Sequence, residues 1–369
     1  MNKIVLISDT HFGSRSFSKP VFNMQMDYFK KDFFPYILKH KIKDVIHLGD
    51  MVHNRNSIDL YLLHTLKTEF FQWFDDNEVN LYSLVGNHDS FYKNTIECNF
   101  QTSSMGNYKY IHPIAENKIL RIGPHKIGFV PWVTDLDAMK LPRPVDVDLL
   151  AGHFEIVGAL MQGKTLSKSG SPYELFKDYK KVVSGHYHAM SSRHNFTYLG
   201  APYQNNWGDF SQGKGFWLLD DNLEMKYIKN KTSPKHIKLF YEENGQLKLS
   251  CSGFNSKTQN ISLPEAIDIC ESNYVKFIVL KSKDQGLLSH TFETITENSY
   301  DRVDILDESG FIEEIDEDQL EQDIQKGLEL SDIIINFLTT ATFQDGIDPV
   351  IIKSMMEELI KSSKEKGIP

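Results

Sequence analysis

Cysteine is scarce: the 369 residues contain three, Cys98, Cys251 and Cys270. An odd, scattered set builds no disulfide framework and reads as reduced cytosolic thiols. Long apolar runs are also missing. None approaches the roughly 18 residues that a membrane span needs, and no signal peptide is visible, because Met1-Asn2-Lys3 leads straight into a strand-like run. A soluble, cytoplasmic protein with no membrane role is expected. The third absence is basic charge. A net charge of −10 argues against broad electrostatic capture of polyanions. The deficit is local, however: residues 301–330 hold twelve acids and two bases, and the other 38 acids and 38 bases cancel. What is present is enough apolar residue, 40%, for a sizeable core, in a chain long enough for two or three structural units.

Five apolar, β-branched runs each end in residues that can hold a metal. Ile4–Ile7 leads to Asp9-Thr10-His11, Val45–Leu48 to Gly49-Asp50, and Leu81–Val85 to Gly86-Asn87-His88-Asp89. Val147–Ala151 leads to Gly152-His153, and Lys181–Ser184 to Gly185-His186-Tyr187-His188. Such runs read as buried strands, and α/β proteins gather ligands at the carboxyl ends of strands. One edge of one sheet is therefore expected to collect the set. The O and N donors, with no cysteine among them, suit Mn²⁺, Mg²⁺ or Fe²⁺. Two such ions about 3.5–4 Å apart clamp the attacking and leaving oxygens of a phosphoryl displacement. Asp50, alone at its strand end, is the natural bridge between them. Glycines 49, 86, 152 and 185 are expected to let the backbone turn before each ligand. The bland alternative is that these histidines are ordinary core or surface residues.

The five ordered motifs resemble those of calcineurin-like metallophosphoesterases. The resemblance implies an α/β fold, a two-sheet metallophosphoesterase sandwich flanked by helices. It also implies that one metal takes Asp9, His11, Asp50 and His188, and the second takes Asp50, Asn87, His153 and His186. His88 then faces the phosphate, stabilising the transition state or protonating the leaving oxygen, while Asp89 orients the loop. Water activated by the ions is the implied nucleophile.

The metal motifs do not choose the phosphoester. Three further features are similar to SbcD-type DNA-repair nucleases, including the recombination endonuclease subunits of T-even-like phages. They are His53 three positions past Asp50, the segments Tyr198–Pro202 and Gly213–Asp220, and about 150 residues beyond the core. Asn87-His88-Asp89 followed by Tyr92-Lys93-Asn94 adds to the likeness. The resemblance implies a Mn²⁺-dependent exonuclease and endonuclease acting on double-stranded DNA ends and single-stranded DNA. It would be a subunit, as a homodimer within a heterotetramer, of a repair and recombination complex with an SMC-like ABC ATPase that carries a coiled coil. Host cytoplasm follows if the gene is phage-borne. By the same resemblance His53 supports the catalytic histidine; the alternative is a surface loop residue. Arg55, Lys93, Lys164, Lys168, Lys177 and Arg193 lie near the motifs and could touch DNA, or be solvated surface charges. Two other readings stay open: a stand-alone metallophosphatase or cyclic phosphodiesterase acting on a small substrate, and a scaffold for the ATPase with a decayed site.

Along the chain, residues 1–230 form the expected nuclease unit. Helical spacing over Val21–His40 and Ser57–Asp75 predicts amphipathic helices whose aromatic stripes pack on the sheet, the second capped by Ser57. Ile127–Trp132, Phe196–Leu199 and Phe216–Leu219 predict strands of a second sheet. Residues 235–300, with two strands and a helix at Leu263–Cys270, resemble a small α+β capping domain that orients DNA, or are a structural add-on. Residues 301–318 read as an acidic linker. Residues 319–369 predict a C-terminal helix pair restarting at Asp348-Pro349. Its apolar stripe, Ile333, Phe337, Leu338, Ile351, Met355 and Leu359, is expected to bind the ATPase coiled coil, or to fold back on the body.

Overall fold

The computed structural model describes residues 3–133, 139–161, 165–210, 212–250, 258–300 and 303–307. Twelve strands form the first two sheets. These are β1 (Ile4–Ile7), β2 (Asp44–His47), β3 (Asn80–Leu84), β4 (Ile111–Ile114), β5 (Lys118–Ile122), β6 (His125–Val130), β7 (Leu149–His153), β8 (Val182–Gly185), β9 (Ser191–Arg193), β10 (Phe196–Tyr198), β11 (Gly215–Leu219) and β12 (Met225–Lys229). One sheet runs β12-β11-β1-β2-β3-β4, the other β5-β6-β7-β8-β10-β9.

The two-residue period of a strand explains why the runs look uniformly apolar. Ile4 and Leu6 join Ile46, Leu84, Phe129 and Val183 in the core between the sheets. Val5 and Ile7 face the other way, onto Phe22, Phe29 and Phe70 of the covering helices. With both faces buried, no polar alternation survives. The predicted helices form over Lys19–Lys39 and Leu60–Asp76, each widened by one π-helical turn, at Phe29–Phe33 and Leu66–Phe71. Their aromatic stripes meet each other: Phe29 packs edge-on to Phe70 (ring centroids 4.9 Å) and Phe34 stacks on Trp73 (3.9 Å). They are core and not a base-stacking surface. The second helix is capped by Asp59, whose carboxylate accepts from Tyr61 N and Leu62 N, so it starts later than a Ser57 cap implies.

Two placements correct the sequence reading. The ligand-bearing strands do not share one sheet: β1, β2 and β3 lie in the first, β7 and β8 in the second. Gly215–Leu219 belongs to the first sheet, antiparallel to β1 with Ile4 opposite Leu219. Local periodicity reports that a strand is buried and says nothing about its partner.

A third sheet is separate, in the order Gln259–Ile261, Leu247–Ser250, His236–Tyr241, Tyr274–Val279, Asp304–Asp307. The expected helix Leu263–Cys270 is present with a Ser262/Glu265 capping box, and Gln285–Glu297 is a second helix. The last strand pairs parallel with Tyr274–Val279, so ordered structure continues into the stretch read as a linker from residue 301. This unit touches the body through His236, whose N–H donates to Gln204 Oε1 at 2.6 Å, and Arg15, which lies over the Tyr274 ring at 4.5 Å. Arg15 belongs to three consecutive left-handed residues, with φ of 56°, 53° and 59° for Arg15, Ser16 and Phe17, each costing roughly 1–2 kcal/mol. The rest of the expected linker and the helix pair of 319–369, with Ile333, Phe337, Leu338, Ile351, Met355 and Leu359, lie outside the described residues. Among the described residues, no helix is long and apolar enough to cross a membrane.

Candidate active site

The carboxyl ends of β1, β2, β3, β7 and β8 converge at one rim of the sandwich, and all seven expected ligands meet there. Asp9, His11 and His188 form one cluster, and Asp50, His153 and His186 a second, each with donor atoms within 4.8 Å of one another. Asp50 stands between them, its Oδ2 at 3.6 Å from His11 Nε2 and its Oδ1 at 3.4 Å from His153 Nε2. Asn87 joins the second cluster, 3.0 Å from both His153 Nε2 and His186 Nδ1.

Backbone strain concentrates at these ligands. Asp9, His11, Asp50 and His186 all have positive φ (54°, 43°, 54° and 93°), a conformation worth about 1–3 kcal/mol of strain per non-glycine residue. Surrounding bonds hold it: Asp9 N–H donates to Gly49 O, His11 N–H to Asp50 O, and His186 N–H to the Asp9 carboxylate at 3.0 Å. The glycines therefore act differently from the sequence expectation. Gly49 does turn with φ of 97°, whereas Gly86 is small for want of space. A Cβ there would sit 2.3 Å from both Asp50 N and Asp50 Oδ1. Gly86→Ala is expected to destabilise the metal-free protein by about 1–3 kcal/mol, read as a lower urea midpoint.

Two of the histidines are fixed by what their other nitrogen meets. His153 Nδ1 donates to Leu48 O at 2.7 Å, which directs Nε2 at Asp50. His88 Nδ1 donates to His53 O at 2.7 Å, leaving Nε2 for a substrate. The expected support of His88 by His53 thus runs through a backbone carbonyl. The His53 ring also stacks on that of His88 (centroids 5.4 Å) and places its Nδ1 at 3.4 Å from His11 Nδ1. Asp89 does not face the clusters. Its carboxylate is buried and accepts from Met51 N, Val52 N, Gly86 N and Gln101 Nε2 at 2.7–3.1 Å, which locks the turn after β3 to the turn after β2. Burial and the Asp50 charge push it up to about 6 against those donors.

The donor set fits divalent cations. With its oxygen directed inward, the Asn87 amide meets Asp50 Oδ2 and two ring nitrogens, so lone pairs converge on one space; with nitrogen inward, its oxygen accepts from Arg55 Nη2 at 3.0 Å. Oxygen and imidazole donors without sulfur match Mn²⁺, Mg²⁺ or Fe²⁺. Burial raises the Asp50 carboxyl, but His153 and then His11 outweigh it and hold the group well below the carboxylate range. In return, Asp50 overcomes burial and lifts His153 to about 9. Burial and the His153 charge drive His186 down to about 3.

A proton on His153 at neutral pH must leave before a cation binds. Metal uptake is expected to release that proton and to tighten as pH rises toward about 9. Calorimetry in buffers of different ionisation enthalpy measures this, and buffer-independent heats at pH 7 would contradict it.

The sequence model for calcineurin-like phosphoesterases matches residues 2–190, more than half of the chain and the whole of the ligand set. The chain belongs to that family. It is a hydrolase acting on phosphoester bonds, and membership implies divalent metal ions. Among curated relatives, the phosphoesterase is similar to exonuclease subunit 1 of Enterobacteria phage T4, 26% identical over 279 residues that cover 74% of this chain and 79% of that one. Two solved structures resemble it more loosely. One is an archaeal phosphodiesterase (14% identical, 62% of this chain and 99% of that one, TM-score 0.30). The other is GAP50, an anchor in the inner membrane complex of Plasmodium (13% identical, 83% and 96%, TM-score 0.38). The fold of the phosphoesterase rests on its own strand order and the family match.

The expected DNA-contacting residues divide. Arg55 reaches the Asn87 amide, and Lys93 is exposed on the loop after His88. Arg193 is not brought to the site: it is level with Val182 across β10, at the end of the sheet away from His186, and lies over the Tyr173 ring at 4.6 Å. Lys168 and Lys177 are exposed, and Lys164 lies outside the described residues. Sequence reading missed Gln101, which holds Asp89, and the buried pair Asp209 and Lys214 behind His188 (2.8 Å). Lys214 lies in a segment noted for resemblance; a buried lysine carries no local signal of its partner.

Proposed function

We propose that this phosphoesterase is a Mn²⁺-dependent DNA nuclease, exonuclease and endonuclease, working as one subunit of a repair and recombination complex. The observation that carries the reading is Asp50, whose two carboxylate oxygens each face a different ligand cluster, the arrangement of a shared ligand in a two-ion phosphodiesterase. Asp9, His11, Asp50 and His188 would hold one ion; Asp50, Asn87, His153 and His186 would hold the other. When bound, the pair polarises the phosphoryl group and lowers the pKa of a water that serves as nucleophile.

The chain's own groups supply the rest. His88, its Nδ1 proton spent on His53 O, offers Nε2 to the scissile phosphate, where it would stabilise developing charge or protonate the leaving oxygen. The His53 ring keeps the Nε2 lone pair of His11 inward. Asp89 keeps the two ligand turns in register. Arg55 and Lys93 flank the loop of His88 and would contact the nucleic-acid backbone.

DNA as substrate is supported by similarity to an exonuclease subunit over three-quarters of the chain, and that the relative is a subunit supports a multi-chain assembly. We assign residues 235–300 to orienting DNA beside the site and residues 319–369 to an SMC-like ATPase with a coiled coil, with dimerisation of the nuclease. The test is degradation of end-labelled linear duplex and single-stranded DNA with Mn²⁺. Stepwise loss from the ends supports the nuclease. Turnover of p-nitrophenyl phosphate or a cyclic nucleotide with DNA untouched, even beside the ATPase, would replace it with a small-substrate phosphatase.

A further inference from the structure

We propose that Asp209, paired with Lys214, is a positioning residue that fixes the tautomer of His188 and so the strength with which that ligand holds its ion. The proposal rests on the two-ion reading of the site and adds a layer behind it.

Asp209 ends the short 3₁₀ turn Trp207–Asp209 and is wholly buried. Its Oδ2 accepts from Asn205 N at 2.9 Å, and its Oδ1 accepts from Lys214 Nζ at 2.8 Å. Lys214 is itself buried, and its other two protons go to His188 O at 2.8 Å and Gln212 Oε1 at 3.1 Å. All three ammonium protons are thus used inside the protein, so Lys214 has none left for a phosphate. A buried ion pair adds little to stability by itself, because desolvating two charges offsets their attraction. Its position suggests its use. Asp209 Oδ1 lies 3.5 Å from His188 Nδ1, a buried nitrogen that makes no hydrogen bond.

The opposite side of the ring explains what the carboxylate does. His188 Nε2 is 2.9 Å from His11 Nε2, inside the first ligand cluster. An ion between these rings needs a lone pair on each Nε2, so the His188 proton must sit on Nδ1, pointing at Asp209. A carboxylate in that place holds the ring orientation and raises its basicity as a ligand. The other ligand histidines with a clear outer partner use neutral groups: Leu48 O behind His153 and the His53 ring behind His11. Lys214 Nζ, 2.8 Å from Asp209 Oδ1, sets a positive charge beside the buried carboxylate.

Asp209→Asn with Lys214→Met tests this. With the carbonyl kept on Asn205 N, the new amide NH₂ faces His188 Nδ1 and reverses the polarity of that contact, while Lys214→Met removes the charge that would otherwise be stranded. Two-bond ¹⁵N–¹H spectra of the metal-free proteins above neutral pH read the tautomer. The wild type is expected to show Nδ1–H at His188 and the double variant Nε2–H, with similar thermal melting. Mn²⁺ titration is expected to show one of two sites weakened by roughly 10–100-fold. An Nε2–H tautomer in the wild type, or a double variant that binds both ions as tightly as the wild type, would overturn the proposal. If the wild type binds fewer than two ions, the two-ion reading fails; the tautomer spectra still decide the role of Asp209.

Discussion

Asp50→Asn is expected to bind at most one divalent ion per chain and to lose phosphodiester hydrolysis by ~10³-fold or more. That magnitude follows from the several kcal/mol of charge stabilisation that a metal pair contributes, at about 1.4 kcal/mol per tenfold in rate. The substitution keeps the shape of the side chain. It also keeps an oxygen for the His88 N–H, which donates to Asp50 Oδ1 at 2.8 Å, so the turn after β3 is retained. What disappears is the charge shared by the two clusters. His153 also loses the carboxylate that lifts its pKa to about 9, so its proton is released more easily even as metal affinity falls. Equilibrium dialysis with Mn²⁺ and a rate assay on a phosphodiester measure both effects. Two ions retained with near-normal rate would remove Asp50 from the bridging position.

The second large effect separates two histidines that stand close together. His88→Gln should lower cleavage by ~10²–10⁴-fold, the range for losing a positioned acid–base group, with both ions still bound. The His88 ring is 4.8 Å from that of His11, but the expected metal shell is complete without it. His53→Ala should behave differently. The bond that fixes His88 comes from the backbone carbonyl of residue 53 and survives any side chain. The losses are the ring contact to His11 Nδ1 and the stacking on the His88 ring; with His88 still held by the carbonyl, the expected result is a roughly 10–100-fold weaker metal site and a rate that recovers at high Mn²⁺. If His53→Ala is as inactive as His88→Gln at saturating metal, the His53 ring acts in the chemistry and the assignment to His11 is wrong.

Much of the site was legible because metal chemistry is local in residue type. Asp, His and Asn at the ends of five apolar runs identify hard donors on a sheet edge, and their order along the chain carries the family resemblance. Asp9, His11, Asp50, Asn87, His153, His186 and His188 converge on one rim, although their strands divide between two sheets. The two misplaced strand assignments share one cause. Gly215–Leu219 reads as a buried strand and is one, but its pairing with β1 is made over two hundred residues away. The ligand strands divide between two sheets for the same reason. A period of two says which residues are buried, and burial is indifferent to the neighbour that provides it.

Sequence by itself determined the donor set, the presence of buried strands behind each motif, and the aromatic faces of the two long helices, because these follow from side-chain chemistry and spacing. Tertiary structure alone decided how those donors are held. It placed Asp50 between two clusters, forced Asp9, His11, Asp50 and His186 into left-handed backbone, turned the His53 ring toward His11, and set Asp209 and Lys214 behind His188. Each of these depends on contacts between segments far apart in the chain, where geometry fixed by packing selects one tautomer or one rotamer from several that the local sequence allows.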